Sequence, residues 1–301
     1  ALGVTKEQIM CPTGTLGVPE FGTPFTIGMV EETKPTTFAE LIKISGLSHG
    51  TDVWLGNAQK LIQEGKATIS TAICTRDDIM TYLIRMGLDS ELSFTIMESV
   101  RKGKGLKPEW EEEMRAHDVP EWYIGSCKKI KYMFPKAHAV AYVTSAYRIA
   151  YFKVHYPVAF YITYFTVRAT EFDAELMLNG KERVVSAIAE ISAKPDEKQK
   201  DKNLVTILEV VNEMYARKIS FLPIDLYKSH ATKFVEEDGA IRPPLNAING
   251  VSDAMGQNIV EARENGDDII IITISSGLSG TYQSVAATKE LSGYERCFVI
   301  D

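Results

Sequence analysis

Lys128-Lys129-Ile130-Lys131-Tyr132-Met133-Phe134-Pro135-Lys136-Ala137-His138-Ala139-Val140-Ala141-Tyr142 is the stretch that decides how the rest of the chain is read. Three lysines fill the first four positions, and a fourth follows the proline. Pro135 ends any helix before it, and residues 137–142 read as an alanine-rich helix start. The unpaired N–H groups of a first helical turn carry partial positive charge and favour an anion. Lysines beside such a terminus suit a phosphate. His138 and Tyr142 are four apart and share a helix face, where a base could stack. A solvated basic loop followed by a core helix fits the same spacing equally well.

Residues 134–142 resemble the Phe-x-Lys-x-His-Ala-x-Ala-Tyr motif in the fingers of bacterial replicative polymerases, the C-family alpha subunits of DNA polymerase III. Two flanking stretches resemble the PolC type more specifically. They are Gly46-Leu47-Ser48-His49-Gly50-Thr51-Asp52-Val53-Trp54-Leu55-Gly56-Asn57-Ala58-Gln59 and Glu98-Ser99-Val100-Arg101-Lys102-Gly103-Lys104-Gly105. The resemblance runs from about residue 2 to about residue 266. It implies template-directed nucleotidyl transfer from a dNTP to a primer 3′ end, with this segment supplying fingers and the start of a helix-hairpin-helix region. By the same resemblance Arg76, Arg101, Lys102, Lys104, Lys129, Lys131 and Lys136 are candidate phosphate contacts. His138 and Tyr142 would lie beside the base or sugar, and Gly46, Ser48, His49 and Gly50 would shape the pocket wall.

The implied chemistry needs carboxylates that hold two metal ions, here Mg2+, about 4 Å apart. In the family those aspartates lie in the palm, as Asp-x-Asp plus one more, and the motif is not found in this sequence. The expectation is therefore no catalytic or metal-binding residue, Mg2+ held by the palm, and an inactive isolated chain. The implied partners are primer-template DNA, dNTP, the other parts of the polymerase and the sliding clamp.

The 301 residues are 45% hydrophobic, enough for a sizeable core. The net charge of −7 runs against a free-standing DNA-binding domain, which is usually basic. Local patches outweigh the sum in a segment of a larger enzyme. Cys11, Cys74, Cys127 and Cys297 are scattered, as expected of reduced cytoplasmic thiols rather than a zinc site or a disulfide framework. No apolar run approaches membrane-spanning length, so no membrane partner is expected.

In chain order, residues 1–34, without an initial methionine, read as a connector from a missing palm, and 35–170 as fingers. Within them a helix is expected over 35–45, capped by Thr36 or Thr37, then a glycine-punctuated polar loop over 46–59. Arg76 opens a helix with Ile79, Leu83 and Met86 as its stripe, ended by Gly87. Asp77 and Asp78 resemble a metal pair but suit caps at a helix start. Residues 90–100 form a further helix that delivers the basic run 101–105, and 108–117 an acidic, solvent-facing one. Residues 171–242 read as a mixed extension, with amphipathic helices over 174–191 and 204–216 and short β-like runs over 219–234.

Residues 243–260 resemble half of a helix-hairpin-helix motif, assigned to 243–266, which aims backbone N–H groups at DNA phosphates. The usual Gly-hydrophobic-Gly is Gly250-Val251-Ser252, so the second glycine is replaced by serine. After residue 266 the pattern changes to Ile269-Ile270-Ile271-Ile272-Thr273-Ile274, a β-branched run, then a polar turn, a helix and a second strand. Residues 268–301 resemble DegV-family fatty-acid-binding proteins, which implies a carboxylate contact at Ser276 and Gly277. The 267–301 tail holds only part of such a domain, and a junction near 266–268 is expected, by natural fusion or by joined coding sequences. The expected fold is mainly α: a multi-helix fingers segment, a helix-hairpin-helix-like part and a short C-terminal β-α-β tail.

Overall fold

The computed structural model describes residues 1–168, 171–194, 196, 198–272, 281–293, 295 and 297–300. These fold as two compact units, one of Thr15–Ala150 and one of Ala1–Gly14 with Tyr151–Asp301. The described residues are mainly helical, as expected.

The Thr15–Ala150 unit begins with α2 (Pro24–Thr33), after α1 (Lys6–Ile9) of the other unit. Thr23 caps α2 and Pro24 occupies its first turn, where a missing N–H costs nothing. Residues 15–34 are packed rather than extended: Leu16, Val18, Phe21 and Met29 are buried. Next come α3 (Phe38–His49) and α4 (Gln59–Gln63), joined by a kinked turn over Trp54–Ala58. Thr37 and Glu40 cap α3 reciprocally: Glu40 N–H donates to Thr37 Oγ1 (3.2 Å) and Thr37 N–H to Glu40 Oε2 (3.1 Å). Then follow α5 (Arg76–Arg85), α6 (Ser90–Arg101), α7 (Pro108–Ala116), α8 (Glu121–Lys129) and the first part of α9 (Lys136–His155). Ile79 and Leu83 of α5 are fully buried, Met86 packs at the core edge, and Gly87 (φ +98°) follows the helix end.

The polar loop expected from residue 46 starts later, because α3 runs on to His49. Gly46 lies inside the helix, where glycine is unfavourable. Packing overrides that cost: a Cβ there would sit 2.6 Å from the Cys74 carbonyl oxygen. In the kinked turn Asn57 and Ser126 form a buried polar pair. Asn57 donates to the Asp52 and Ser126 carbonyls, and Ser126 Oγ donates to Asn57 Oδ1 (2.7 Å).

The other unit holds α1, the end of α9, α10 (Pro157–Arg168), α11 (Ala174–Met177), α12 (Lys181–Ser192) and α13 (Gln199–Ala216). Its centre is a buried ion pair. Lys153 Nζ donates to Glu213 Oε2 (2.9 Å) and to the Gly14 carbonyl (2.9 Å). Tyr161 OH donates to Glu213 Oε1 (2.7 Å), and Arg217 donates to the Lys153 carbonyl and to Tyr161 OH. Lys153 and Glu213 are essentially inaccessible, and desolvation lowers the pKa of Lys153 against the pull of Glu213. The pair ties residues 1–14 to α9 and α13 within this unit.

The β-like runs expected over 219–234 are largely irregular. The hairpin lies later, β1 (Val235–Glu237) antiparallel to β2 (Ala240–Arg242), because Asp238-Gly239 supplies the two positive-φ positions of a tight turn. A short 3-10 turn (Leu245–Ala247) leads to α14 (Asp253–Asn265). The tail is β3 (Ile269–Ile272), α15 (Thr281–Ser292) and β4 (Cys297–Ile300), with β3 and β4 parallel and Ile269 opposite Cys297. Two strands alone are marginal. Here Ile269, Val285 and Cys297 share a core with Ile224, Ile248, Val251 and Ile259.

Two stability outcomes are expected, read by denaturant unfolding. Gly46→Ala should cost about 1–3 kcal/mol from overpacking, whereas Gly125→Ala in α8, with no neighbour near its Cβ position, should be neutral or slightly stabilising. Glu213→Gln strands a buried ammonium and should cost about 3–5 kcal/mol; a loss below 1 kcal/mol would contradict the burial.

Candidate functional site

Residues 130–135 join α8 to α9 in extended form, and their backbone is bonded on three sides. Lys131 N–H donates to the Thr51 carbonyl (3.1 Å), and Thr51 N–H donates to the Tyr132 carbonyl (2.9 Å). Met133 N–H donates to the Arg101 carbonyl (3.2 Å), and Arg76 N–H to the Phe134 carbonyl (3.1 Å). The loop after α3, the end of α6 and the start of α5 therefore meet on one short segment. Two glycines allow the approach. A Cβ on Gly50 would lie 2.9 Å from the Tyr132 carbonyl oxygen, and one on Gly103 (φ +71°) would lie 3.0 Å from Lys131 Cα.

Arg76, Arg101 and Lys102 come together on a single carboxylate. Glu98 Oε2 accepts from Arg101 Nη2 (2.8 Å) and pairs with Lys102 Nζ (2.9 Å). Its Oε1 accepts from Arg101 Nε and lies 3.7 Å from Arg76 Nη1. Hydrogen bonding to Arg101, then to Lys102, holds the Glu98 carboxyl down at about 2. Lys129 is tied to the Gly56 carbonyl (2.8 Å). Lys104, Lys131 and Lys136 are exposed, and among the described residues their side chains make no ion pair.

The α9 start differs from the sequence expectation in one respect. Its first N–H, that of Lys136, donates to Asp77 Oδ2 (2.6 Å). The helix terminus thus already faces a carboxylate. Asp78 acts at its own helix instead, accepting from the Cys74 and Thr75 N–H groups (3.1 and 2.9 Å). Asp78 thus caps its own helix, as its position predicted, whereas Asp77 caps α9 instead.

An aromatic row crosses the same face. The His138 ring lies 4.9 Å from Phe134, 4.4 Å from Tyr142 and 5.9 Å from His49. Tyr142 is 52% exposed. His49 Nδ1 lies 2.8 Å from the Ser45 carbonyl, and its Nε2 lies 3.4 Å from Glu20, which accepts from Ser45 Oγ (3.0 Å). Ser48 donates to the Ser45 carbonyl. Gly46 is buried under Cys74 and is a packing residue in this structure. Sequence reasoning missed Glu20 and the hub role of Glu98. The spacing of Glu98 to Arg101 and Lys102, three and four along a helix, was the available signal; Glu20 had none.

Among the described residues no group of three or more His, Cys, Asp or Glu is arranged to hold a metal ion. No helix among them is long and apolar enough to cross a membrane.

At the helix-hairpin-helix candidate, Gly250 has φ +86° and Ser252 caps α14, its Oγ accepting from Met255 N–H (3.2 Å). Asp253 follows and accepts from Asn246 Nδ2 (2.8 Å). Ser276 and Gly277 lie outside the described residues.

Residues 6–118 match the bacterial DNA polymerase III alpha subunit finger domain, and residues 218–272 match a helix-hairpin-helix motif. The class these matches define is a finger-type segment, similar to that of the bacterial DNA polymerase III alpha subunit, followed by a helix-hairpin-helix motif. It is 60% identical over 268 residues to the DNA polymerase III PolC-type of Bacillus cereus, covering 89% of this chain and 19% of that protein. The Bacillus subtilis protein of the same name is 58% identical over 268 residues, with the same coverage. That of Caldanaerobacter subterraneus is 58% identical over 272 residues, 90% of this chain and 19% of its own length. The chain spans about a fifth of the length of these curated relatives. Over the matched part it is similar to a segment of these DNA polymerase III PolC-type proteins.

The Glu98 cluster sets a pH expectation. A carboxyl depressed in the folded state contributes stability that is present above its unfolded value and is lost as pH falls through the folded one. An NMR titration should find Glu98 ionised down to about pH 2; a midpoint above 4 would mean the cluster does not form.

Proposed function

We propose that the Thr15–Ala150 unit binds the triphosphate and base of an incoming dNTP, and the nearby primer-template, during template-directed nucleotidyl transfer by the full-length polymerase. The carrying observation is the convergence of Arg76, Arg101, Lys102, Lys131 and Lys136 around the extended segment 130–135, beside the His138–Tyr142 pair. Cations meet the phosphates and the half-exposed Tyr142 ring meets the base or sugar. Lys104 serves the DNA backbone, whereas Lys129 is held on the Gly56 carbonyl. The pocket-wall role passes from Gly46 and Ser48, which face inward contacts, to His49 and the Gly50 turn.

The metal-holding carboxylates, Mg2+ and the sliding-clamp contact belong to other parts of the full-length protein, and the isolated chain is inactive. The setting is the cytoplasm. Gly250 and Ser252 support only weak DNA-backbone contact, since serine replaces the second glycine and Asp253 opposes a phosphate. We assign no lipid-binding role to the tail, whose β3-α15-β4 order is consistent with part of a DegV-like domain.

A second reading, a DNA-binding module without a nucleotide role, is supported by the hairpin motif. Steady-state kinetics of Lys136→Ala in the full-length polymerase separates the two. Loss of a charge-assisted contact of about 1.5–3 kcal/mol should lower kcat/KM for dNTP roughly 10- to 150-fold. An unchanged kcat/KM with weaker DNA binding favours the second reading. Lys104→Ala should flatten the salt dependence of primer-template binding by about 0.9; an unaltered slope would remove Lys104 from the interface.

A further inference from the structure

A carboxylate among phosphate-binding cations needs a reason, because it repels the ligand they attract. Glu98 is one negative charge facing three positive ones, so the cluster stays cationic; Arg101 and Lys102 are bonded to it directly, and Arg76 Nη1 lies 3.7 Å away as a longer ion pair. Two of its contacts are local, three and four residues along α6, and such pairs form on many exposed helices. The third is not local: Arg76 reaches it from the start of α5. That helix start is itself fixed by the Arg76 N–H bond to Phe134, and the end of α6 by the Met133 bond to the Arg101 carbonyl. The turn after α6 is held too, with Lys104 N–H donating to the Ser99 carbonyl and Ser99 Oγ to the Gly105 carbonyl (2.9 Å). The backbones of both arginines are thus rigid, and Glu98 is the group that orders their long side chains.

We propose that Glu98 is a positioning residue that holds Arg101, Lys102 and Arg76 in one preset arrangement for receiving a phosphate, from either a nucleoside triphosphate or the DNA backbone. The proposal rests on the reading of these cations as phosphate ligands. An arginine held by a planar two-point pair has lost most of its rotamer freedom before the ligand arrives, so binding costs less ordering. The remaining guanidinium N–H groups and the Lys102 ammonium stay available to a phosphate.

The test uses full-length polymerase carrying Glu98→Gln, Glu98→Asp, Arg101→Ala or the Glu98→Gln/Arg101→Ala pair. Each is measured for dNTP KM and kcat, primer-template Kd and thermal unfolding midpoint. Glu98→Gln should raise KM for dNTP, or Kd for DNA, by about threefold to tenfold with kcat little changed, and which constant moves names the source of the phosphate. Glu98→Asp should recover part of the loss. The double variant should be no worse than Arg101→Ala, because the two residues act as one unit. If Arg101→Ala changes neither constant, the phosphate reading itself fails. If Arg101→Ala weakens binding while Glu98→Gln leaves it unchanged or tightens it, positioning by Glu98 is overturned and the phosphate reading survives. A Glu98→Gln defect that only follows a lowered unfolding midpoint, with no rescue by aspartate, also overturns it.

Discussion

An extended backbone segment in a protein interior must find partners for its N–H and C=O groups. Residues 130–135 are extended, and Pro135, which lacks an N–H and restricts the residue before it, prevents α8 from running on into α9. No sheet receives them. Their partners are the Thr51 backbone, the Arg101 carbonyl and the Arg76 N–H. That requirement draws three distant parts of the chain together, and the cationic cluster is a consequence. Buried Ile130 and Met133 anchor the same segment in the core, so its polar edge and apolar side act in one direction.

Charge in this unit is arranged by local pairing. Glu98 gathers three cations, Asp77 meets the α9 terminus, and Glu111 takes Lys128 (2.7 Å) and Arg115 (3.1 Å). Lys104, Lys131 and Lys136 stay exposed beside these pairs, in a chain whose net charge is −7. The unit built on Tyr151–Asp301 uses the opposite strategy, with its central Lys153–Glu213 pair sealed from water. A buried pair adds little net stability but penalises every arrangement that separates its members. Here it fixes the register of α13 against α9 and residues 1–14.

Much of the fold was legible in the sequence. The α3 cap at Thr37, the α5 stripe of Ile79 and Leu83, the acidic α7 and the strand-helix-strand tail follow from capping, periodicity and β-branched runs. What escaped was tertiary. Gly46 reads as a loop residue until the Cys74 carbonyl is seen against it. Residues 15–34 read as a connector because glycine and proline are frequent there, although Phe21 and Met29 are core. The hairpin at 235–242 was signalled by Asp238-Gly239 but passed over in favour of the apolar residues before it. In the site, the lysine-rich stretch and the His138–Tyr142 pair were visible from spacing. That Lys129 is already committed to Gly56, and that Asp77 already occupies the α9 start, depends on contacts some 60 to 70 residues apart in sequence and could not be read from composition.

Reception of an incoming nucleotide's phosphates by the cations gathered on residues 130–135 is tested most directly by the structure of the full-length polymerase with primer-template and a non-reacting dNTP bound. Triphosphate oxygens are expected within about 3 Å of the side-chain nitrogens of at least two of Arg76, Arg101, Lys102 and Lys136, with the base or sugar beside Tyr142. A triphosphate held elsewhere, with all four side chains in water or on Glu98 alone, would contradict it.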